Sequence, residues 1–165
     1  MKLRELKKED ALLMLEWMHD DEIVRDMKTD FSKKTIDDCE SFIEASITDK
    51  ENLHLAIVND EDEYMGTVSL KHIKDSTAEL GITVRRCAMG KGFSRYGMET
   101  IFEFGRKRYA IKTVYWCVDP DNKRAVHFYD KNSYKRCEAP EQVVGYSDEE
   151  MERYYWYQKS IANVL

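Results

Sequence analysis

Gly81-Ile82-Thr83-Val84-Arg85-Arg86-Cys87-Ala88-Met89-Gly90-Lys91-Gly92-Phe93 is the stretch on which the fold turns. Its β-branched start predicts a strand, its basic middle a short turn, and Gly90-Lys91-Gly92 the opening of a helix at Phe93. Such a junction forms an anion site. The first amides of a helix have no internal acceptor, and the macrodipole places partial positive charge beside them. Glycine lets the backbone come close to a phosphate and take a positive φ. Arg85, Arg86, Lys91 and Arg95 add cations nearby, though a tight turn with a solvated basic rim is the plainer alternative. No further glycine completes a dinucleotide fingerprint, and no Ser or Thr follows a Gly-Lys pair, so neither common nucleotide loop fits.

On the N-terminal side, Lys2 to Leu6 reads as a strand and Lys8 to His19 as a helix, with Ala11, Leu12, Leu15 and Met18 at helical spacing. Trp17 to Arg25 reads as the end of that helix and the start of a shorter one. A further helix is predicted over Ile36 to Ile47, with Thr35 as N-cap, Asp37 and Asp38 in the first turn, and Cys39, Phe42, Ile43 and Ile47 inward. Leu53 to Val58 and Tyr64 to Ile73 are strands joined by the turn Asn59-Asp60-Glu61-Asp62-Glu63, and Thr77 to Arg85 is a third. Phe93 to about Arg108 is a helix carrying Phe93, Gly97, Ile101 and Phe104 on one stripe; Gly97 there suggests close packing against the sheet or a cofactor. Thr113 to Val118 is a buried strand, Asn122 to Asn132 a helix, Tyr134 to Cys137 a strand and Met151 to Ser160 a last strand pairing with it. The order β-α-α-β-β-β-α-β-α-β-β predicts an α/β fold, a mixed sheet with helices on both faces.

The 165 residues, 42% of them hydrophobic, suit a single domain over 1–165 with a real core. A net charge of −6 argues against sequence-independent nucleic-acid binding, which relies on many phosphate contacts. Cys39, Cys87, Cys117 and Cys137 have no metal-ligand spacing and read as reduced thiols, with Cys117 in the core. No apolar run is long enough to span a bilayer, and a cytoplasmic protein without metal is the expectation. His19, His54, His72 and His127 have no partner motif, and Ser94 lacks the glycine-flanked elbow of a Ser–His–Asp hydrolase. Arg106-Lys107-Arg108 reads as a solvated helix end.

Cys87 to Gly92 resembles the acetyl-CoA pyrophosphate loop of the GNAT superfamily of N-acetyltransferases: Gln or Arg, two residues, Gly, one residue, then Gly or Ala. Gly90 and Gly92 fall in the glycine places, and Cys87 stands where the family has Gln or Arg. Val118 to Tyr134 resembles the second GNAT signature, in which a strand ends in Val and Asn, Ala, Tyr-x-Lys and Gly-Phe follow; Ser133-Tyr134 replaces Gly-Phe here, with Asn132 expected to take the left-handed C-cap. The predicted element order is also that of the family, whose central sheet is mostly antiparallel.

The resemblance implies acetyl-CoA as co-substrate, with an amine as acceptor. It implies a coenzyme site at Ile82, Val84, Met89, Gly90, Lys91, Gly92, Phe93, Ser94, Asn122, Ala125 and Phe128, with Asn122 on the pantetheine arm. Asn122, Ala125 and Tyr129 share a helical stripe, and the resemblance makes Tyr129 the acid at the leaving sulfur; an aromatic on such a face is otherwise core. An amine with a pKa near ~10 is almost wholly protonated at pH 7, so a base is useful, and Glu79 in Ala78-Glu79-Leu80 is the candidate. Its plain alternative is a solvated edge residue. Strand alternation puts Glu79 on the face of Gly81 and Thr83. A backbone N–H between Ile82 and Val84 is the candidate oxyanion donor. Leu15 to Arg25 is similar to the branch acetylating ribosomal-protein N-termini, a shape shared by small-molecule acetyltransferases, and would line the acceptor side. The reading is thus an N-acetyltransferase using direct attack in a ternary complex on a small amine or a protein N-terminus. A homodimer is compatible with it. Its alternative is a non-catalytic coenzyme-A-binding module.

Overall fold

The computed structural model describes residues 1–162. Among the described residues seven strands form one sheet: β1 (Lys2–Glu5), β2 (Leu53–Val58), β3 (Tyr64–Lys74), β4 (Thr77–Val84), β5 (Thr113–Val118), β6 (Lys135–Cys137) and β7 (Tyr155–Ser160). Their spatial order is β1-β2-β3-β4-β5-β7-β6. All neighbours are antiparallel except β4 and β5. The expected mixed, mostly antiparallel sheet is present.

The helices are α1 (Ala11–Met18), α2 (Asp21–Val24), α3 (Ile36–Thr48), α4 (Phe93–Tyr109), α5 (Lys123–Lys131) and α6 (Asp148–Arg153). Local chemistry starts several of them. Thr35 accepts from the Asp38 amide while Asp38 accepts from the Thr35 amide, a reciprocal box that satisfies two orphan donors of α3. Gly92, at φ +87°, opens α4 in a left-handed conformation that costs a residue with a Cβ about 1–2 kcal/mol.

Two apolar cores sandwich the sheet. On one face Met98, Ile101 and Phe102 of α4 and Tyr129 of α5 pack on Val68, Leu70, Leu80 and Trp116. On the other, Met14, Trp17 and Met18 of α1 and Cys39 and Ile43 of α3 pack on Ala56, Val58 and Tyr64. Gly97 belongs to the first contact: an added Cβ would lie 2.6 Å from Ile57 Cδ1, so the sheet accounts for this glycine.

The structure corrects several expectations. Met151 to Ser160 is not one strand. Ser147 caps the amide of Glu150, whose carboxylate reaches back to the Ser147 amide, and this box starts α6; β7 begins only at Tyr155. Leu12 and Ile47 are 68% and 65% exposed, because the buried stripes run through Met14–Trp17 and Cys39–Ile43 instead. Ser133 (φ +60°), rather than Asn132 (φ −87°), takes the left-handed position after α5. No helix among the described residues is long and apolar enough to cross a membrane.

Candidate active site

The parallel pair β4–β5 is joined only from Thr77 to Glu79, against Thr113 to Tyr115. Beyond that register the strands part, and one side of β4 from Leu80 to Val84 has no strand partner. Backbone donors that would complete a ladder therefore face a gap.

Three cavities meet at that gap. A cleft on the α4–α5 side is lined by Met89, Gly90, Ser94, Asn122, Ala125 and Phe128 together with Ile82 to Val84 and Tyr129. A notch between the parted strands is lined by Glu79, Cys117, Asn122, Tyr129 and Tyr146, with Ile82 and Thr83 again at its wall. A groove beneath α1 and α3 is lined by Trp17, Phe31, Phe42 and Lys71, and it too reaches Ile82 and Thr83. Ile82 and Thr83 thus border all three.

At the cleft's outer end Gly90 and Gly92 both take positive φ. The amides of Gly90, Gly92, Phe93 and Ser94 donate to no acceptor among the described residues, so the turn presents unpaired donors at the start of a seventeen-residue helix. Ser94 and Gly90 line the cleft; Lys91 and Gly92 are exposed beside it, and the Phe93 side chain is buried in the core. The cationic rim is thinner than expected. Arg85 is only 8% exposed and binds Glu16, Glu63 and the Tyr64 carbonyl. Arg86 binds Asp20 and Glu22, and Arg95 binds Glu99. Arg85 and Arg86 tie elements of the fold together because carboxylates of α1, α2 and its N-cap, and the β2–β3 turn come within reach, whereas Arg95 makes an exposed pair within α4. Arg124, at the cleft wall, has no such pair among the described residues.

Asn122 is the N-cap of α5: its Oδ1 accepts from the Ala125 amide at 3.1 Å, leaving the Nδ2 hydrogens for a ligand. Tyr129 lies in an aromatic cluster, its ring centre 5.5 Å from Trp116 and 5.0 Å from Tyr157, yet it borders both cleft and notch. Its hydroxyl has no partner among the described residues, and burial pushes its pKa well above the usual phenol range. It is therefore both a core aromatic and a neutral donor.

Glu79 is not a solvated edge residue. It is 3% exposed, its Oε1 accepts from the Tyr146 hydroxyl at 2.7 Å and from Lys71 at 3.3 Å, and Oε2 faces His72 Nε2 at 3.7 Å. Cys117, expected in the core, is half-buried in the notch, where burial pushes its thiol up to about 11. It stays protonated at neutral pH and is a poor nucleophile. No cluster among the described residues suits a metal ion.

Sequence reasoning missed Lys71, Tyr146 and Met27, and it set Ile23, within Leu15 to Arg25, on the acceptor side rather than at the cleft. Lys71 was reachable, since a hairpin closing near residues 74–77 sets it opposite Glu79. Tyr146 sits in a loop with no local pattern to flag it. Ile23 and Met27, from α2 and the segment after it, cover the cleft.

Comparison with known proteins agrees with this architecture. The pattern defining the Acetyltransferase (GNAT) domain matches residues 1–135. An uncharacterized N-acetyltransferase, p20, of Bacillus licheniformis is 24% identical over 140 residues, covering 81% of this chain and 78% of that protein. The spermidine N-acetyltransferase of Vibrio cholerae, solved with CoA and spermine, superposes with a TM-score of 0.78 at 18% identity, covering 96% of this chain and 94% of that one. The microcin C7 self-immunity acetyltransferase MccE, solved with acetyl-CoA and AMP, gives 0.75 at 21% identity over 96% and 91% of the two chains.

Proposed function

The chain belongs to the GNAT acetyltransferase family and is an acetyl-CoA-dependent N-acetyltransferase, and from that premise we propose that it acetylates a primary amine by direct attack within a ternary complex. Residues 1–165 act in this reading as one acetyltransferase domain. The observation that carries it is the convergence of cleft, notch and groove at Ile82 and Thr83. Two reactants entering from opposite faces of the sheet meet there without exposing the reacting atoms to bulk water.

The residues present suit acetyl-CoA. The unpaired amides of Gly90, Gly92, Phe93 and Ser94 receive its diphosphate, and Arg124 adds charge at the wall. Asn122 donates to the pantetheine arm, which lies along Ala125 and Phe128 and against the unpaired edge at Ile82 and Val84. Acetyl-CoA supplies an activated acyl group as a thioester. The amine nitrogen forms the bond to the acyl carbon and the carbon–sulfur bond breaks; an ammonium and a thioester become an amide, a thiol and one released proton.

Glu79 takes the proton from the ammonium and passes it to solvent. The amide of Ile82 or of Val84, on the unpaired edge of β4, donates to the oxygen on which charge develops. Tyr129 donates to the departing sulfur. A thiolate with a pKa near ~8.5 cannot strip a phenol that burial holds above its usual ~10, so Tyr129 stabilises the leaving group chiefly through a hydrogen bond, and the product thiol takes the second proton that the nitrogen loses. Direct attack is also favoured by Cys117, a thiol lining the notch, being held protonated and so a poor site for an acyl-enzyme. The partners are acetyl-CoA and an amine acceptor, small or at a protein N-terminus. No observation favours the non-catalytic module.

A thiol-release assay with both substrates varied tests this. Intersecting double-reciprocal lines are expected; parallel lines would mark an acetyl-enzyme on a residue such as Cys117 and overturn direct attack. Sedimentation of the purified chain decides between monomer and homodimer.

A further inference from the structure

One charged pair among the described residues stands where notch and groove adjoin. Lys71 and Glu79 are register partners on β3 and β4, with Nζ 3.3 Å from Oε1. Both line the notch, and Lys71 alone of the two also lines the groove. The Lys71 stem lies over Gly81, where an added Cβ would come 3.3 Å from Lys71 Cε, so the ammonium is carried along β4 toward the groove. The other charged side chains lining these two cavities are engaged elsewhere or exposed. Lys28 pairs with Glu150, Asp26 with Arg25, Asp119 with Arg153, and Asp38 closes the box on Thr35. Lys34 sits exposed at the groove and adds positive charge.

The groove beyond Lys71 is apolar. Trp17 and Phe31 meet edge to face at 5.2 Å, Phe42 stands 4.8 Å from the His54 ring, and Met14 and Met18 complete the walls. His54 shares a hydrogen bond with Ser69 at 2.7 Å, and burial lowers its pKa, so it presents no charge at neutral pH. A ligand here meets one carboxylate, one adjacent ammonium and an aromatic-walled space.

Resting on the acetyl-transfer reading above, we propose that the acceptor is a zwitterionic α-amino acid with a large apolar or aromatic side chain. Its ammonium meets Glu79, its carboxylate meets Lys71, and its side chain enters the groove. The α-ammonium and α-carboxylate of an amino acid lie about 3 Å apart by covalent geometry, the spacing of the protein's own pair, so the four charges alternate in sign. A polyamine would bring a second ammonium beside Lys71, where like charges a few ångströms apart repel by about 1 kcal/mol in water and more in a partly dry site. A peptide N-terminus offers an amide in place of the carboxylate and leaves Lys71 unpaired while Glu79 turns to the incoming amine. The α-nitrogen forms the amide bond, the thioester carbon–sulfur bond breaks, one ammonium proton leaves through Glu79 and a second ends on the departing sulfur. The products are an N-acetylamino acid and the coenzyme thiol.

The test pairs calorimetry of acetyl-CoA binding with thiol release from L-phenylalanine, L-leucine, L-phenylalaninamide, a phenylalanine-led peptide and spermidine. The free amino acids are expected to exceed the amide, the peptide and spermidine in kcat/KM by at least about tenfold. Lys71→Met should bring the ratio of amino acid to amide close to one with acetyl-CoA affinity unchanged, and Lys71→Arg should restore part of it. Spermidine or the peptide matching the amino acids, or a ratio indifferent to Lys71→Met, overturns this acceptor assignment alone. No acetyl-CoA binding and no thiol release with any amine overturns the acetyl-transfer reading, and this assignment with it.

Discussion

Tyr146 donates its phenolic hydrogen to Oε1 of Glu79 across 2.7 Å, tying the loop after β6 to the start of the β4–β5 gap. Lys28 Nζ lies 4.3 Å from the centre of the same ring and 3.1 Å from Glu150. The segment after α2, the C-terminal loop and β4 are therefore linked through one phenol to one carboxylate. The same loop ring packs on Trp156 at 5.2 Å, which fixes its direction.

Glu79→Gln keeps the shape of the site and still accepts from Tyr146 but takes up no proton. Its kcat is expected to fall by about 10² to 10⁴, with acetyl-CoA affinity unchanged by calorimetry. Wild-type turnover in this variant removes Glu79 from the proton path. Tyr146→Phe deletes a hydrogen bond to a charged group, worth about 1.5–3 kcal/mol, and should lower the melting temperature by several degrees.

Tyr129→Phe removes a hydroxyl that bonds to nothing in the described fold, so its melting temperature should stay within a degree or two of the parent. Turnover should drop by about 10 to 10², with little change in acetyl-CoA dissociation constant. Equal activity in the two proteins would falsify the assignment at the leaving sulfur.

The buried phenols set an alkaline limit on stability. Tyr64 and Tyr129 both have pKa values raised by burial above their unfolded value. Below pH ~10 neither state ionises and their contribution is whole. Above it the unfolded chain loses protons that the folded chain keeps, and each phenol costs about 1.4 kcal/mol per pH unit until its folded pKa is reached. Denaturant midpoints should hold steady to about pH 10 and then fall; Tyr129→Phe should make the fall shallower.

Arg85→Ala should separate stability from cofactor binding. The variant leaves Glu16, Glu63 and the Tyr64 carbonyl without their shared donor, at a cost of about 2–4 kcal/mol, or roughly 5–15 °C in melting temperature. Acetyl-CoA affinity of the folded fraction should stay as in the parent, since the guanidinium is turned away into its carboxylates. Weakened binding with an unchanged melting point would return Arg85 to the phosphate rim.

Gly92→Ala forces a Cβ onto φ +87°, at about 1–2 kcal/mol, and tilts the amides that follow. Acetyl-CoA binding should weaken by about tenfold or more while activity at saturating cofactor is largely kept. Unchanged affinity would show that the turn's amides do not hold the diphosphate.

Much of the architecture was legible in the chain because its signals are local. The Thr35–Asp38 box, the β-branched runs and the glycines before Phe93 each act within a few residues. The Ser147–Glu150 box is as readable, yet the aromatic run from Tyr154 to Tyr157 outweighs it, and the last turn of α6 from Met151 reads as strand. Inward faces were harder. Leu12 and Ile47 satisfy a helical period, and only the direction from which the sheet approaches leaves them in water.

Sequence alone determined the order of the strands and of the helices before β6, the turn that begins α4, and the two motifs holding Gly90, Gly92, Asn122 and Tyr129. Each depends on backbone preferences and hydrogen bonds spanning a turn or two. Tertiary structure decided what surrounds them: that β4 and β5 part after Glu79, that Arg85 is spent on Glu16 and Glu63, and that Tyr146 reaches Glu79 from 67 residues away. Those contacts follow from how helices and loops pack on the two faces of one sheet, and no stretch of chain contains both partners.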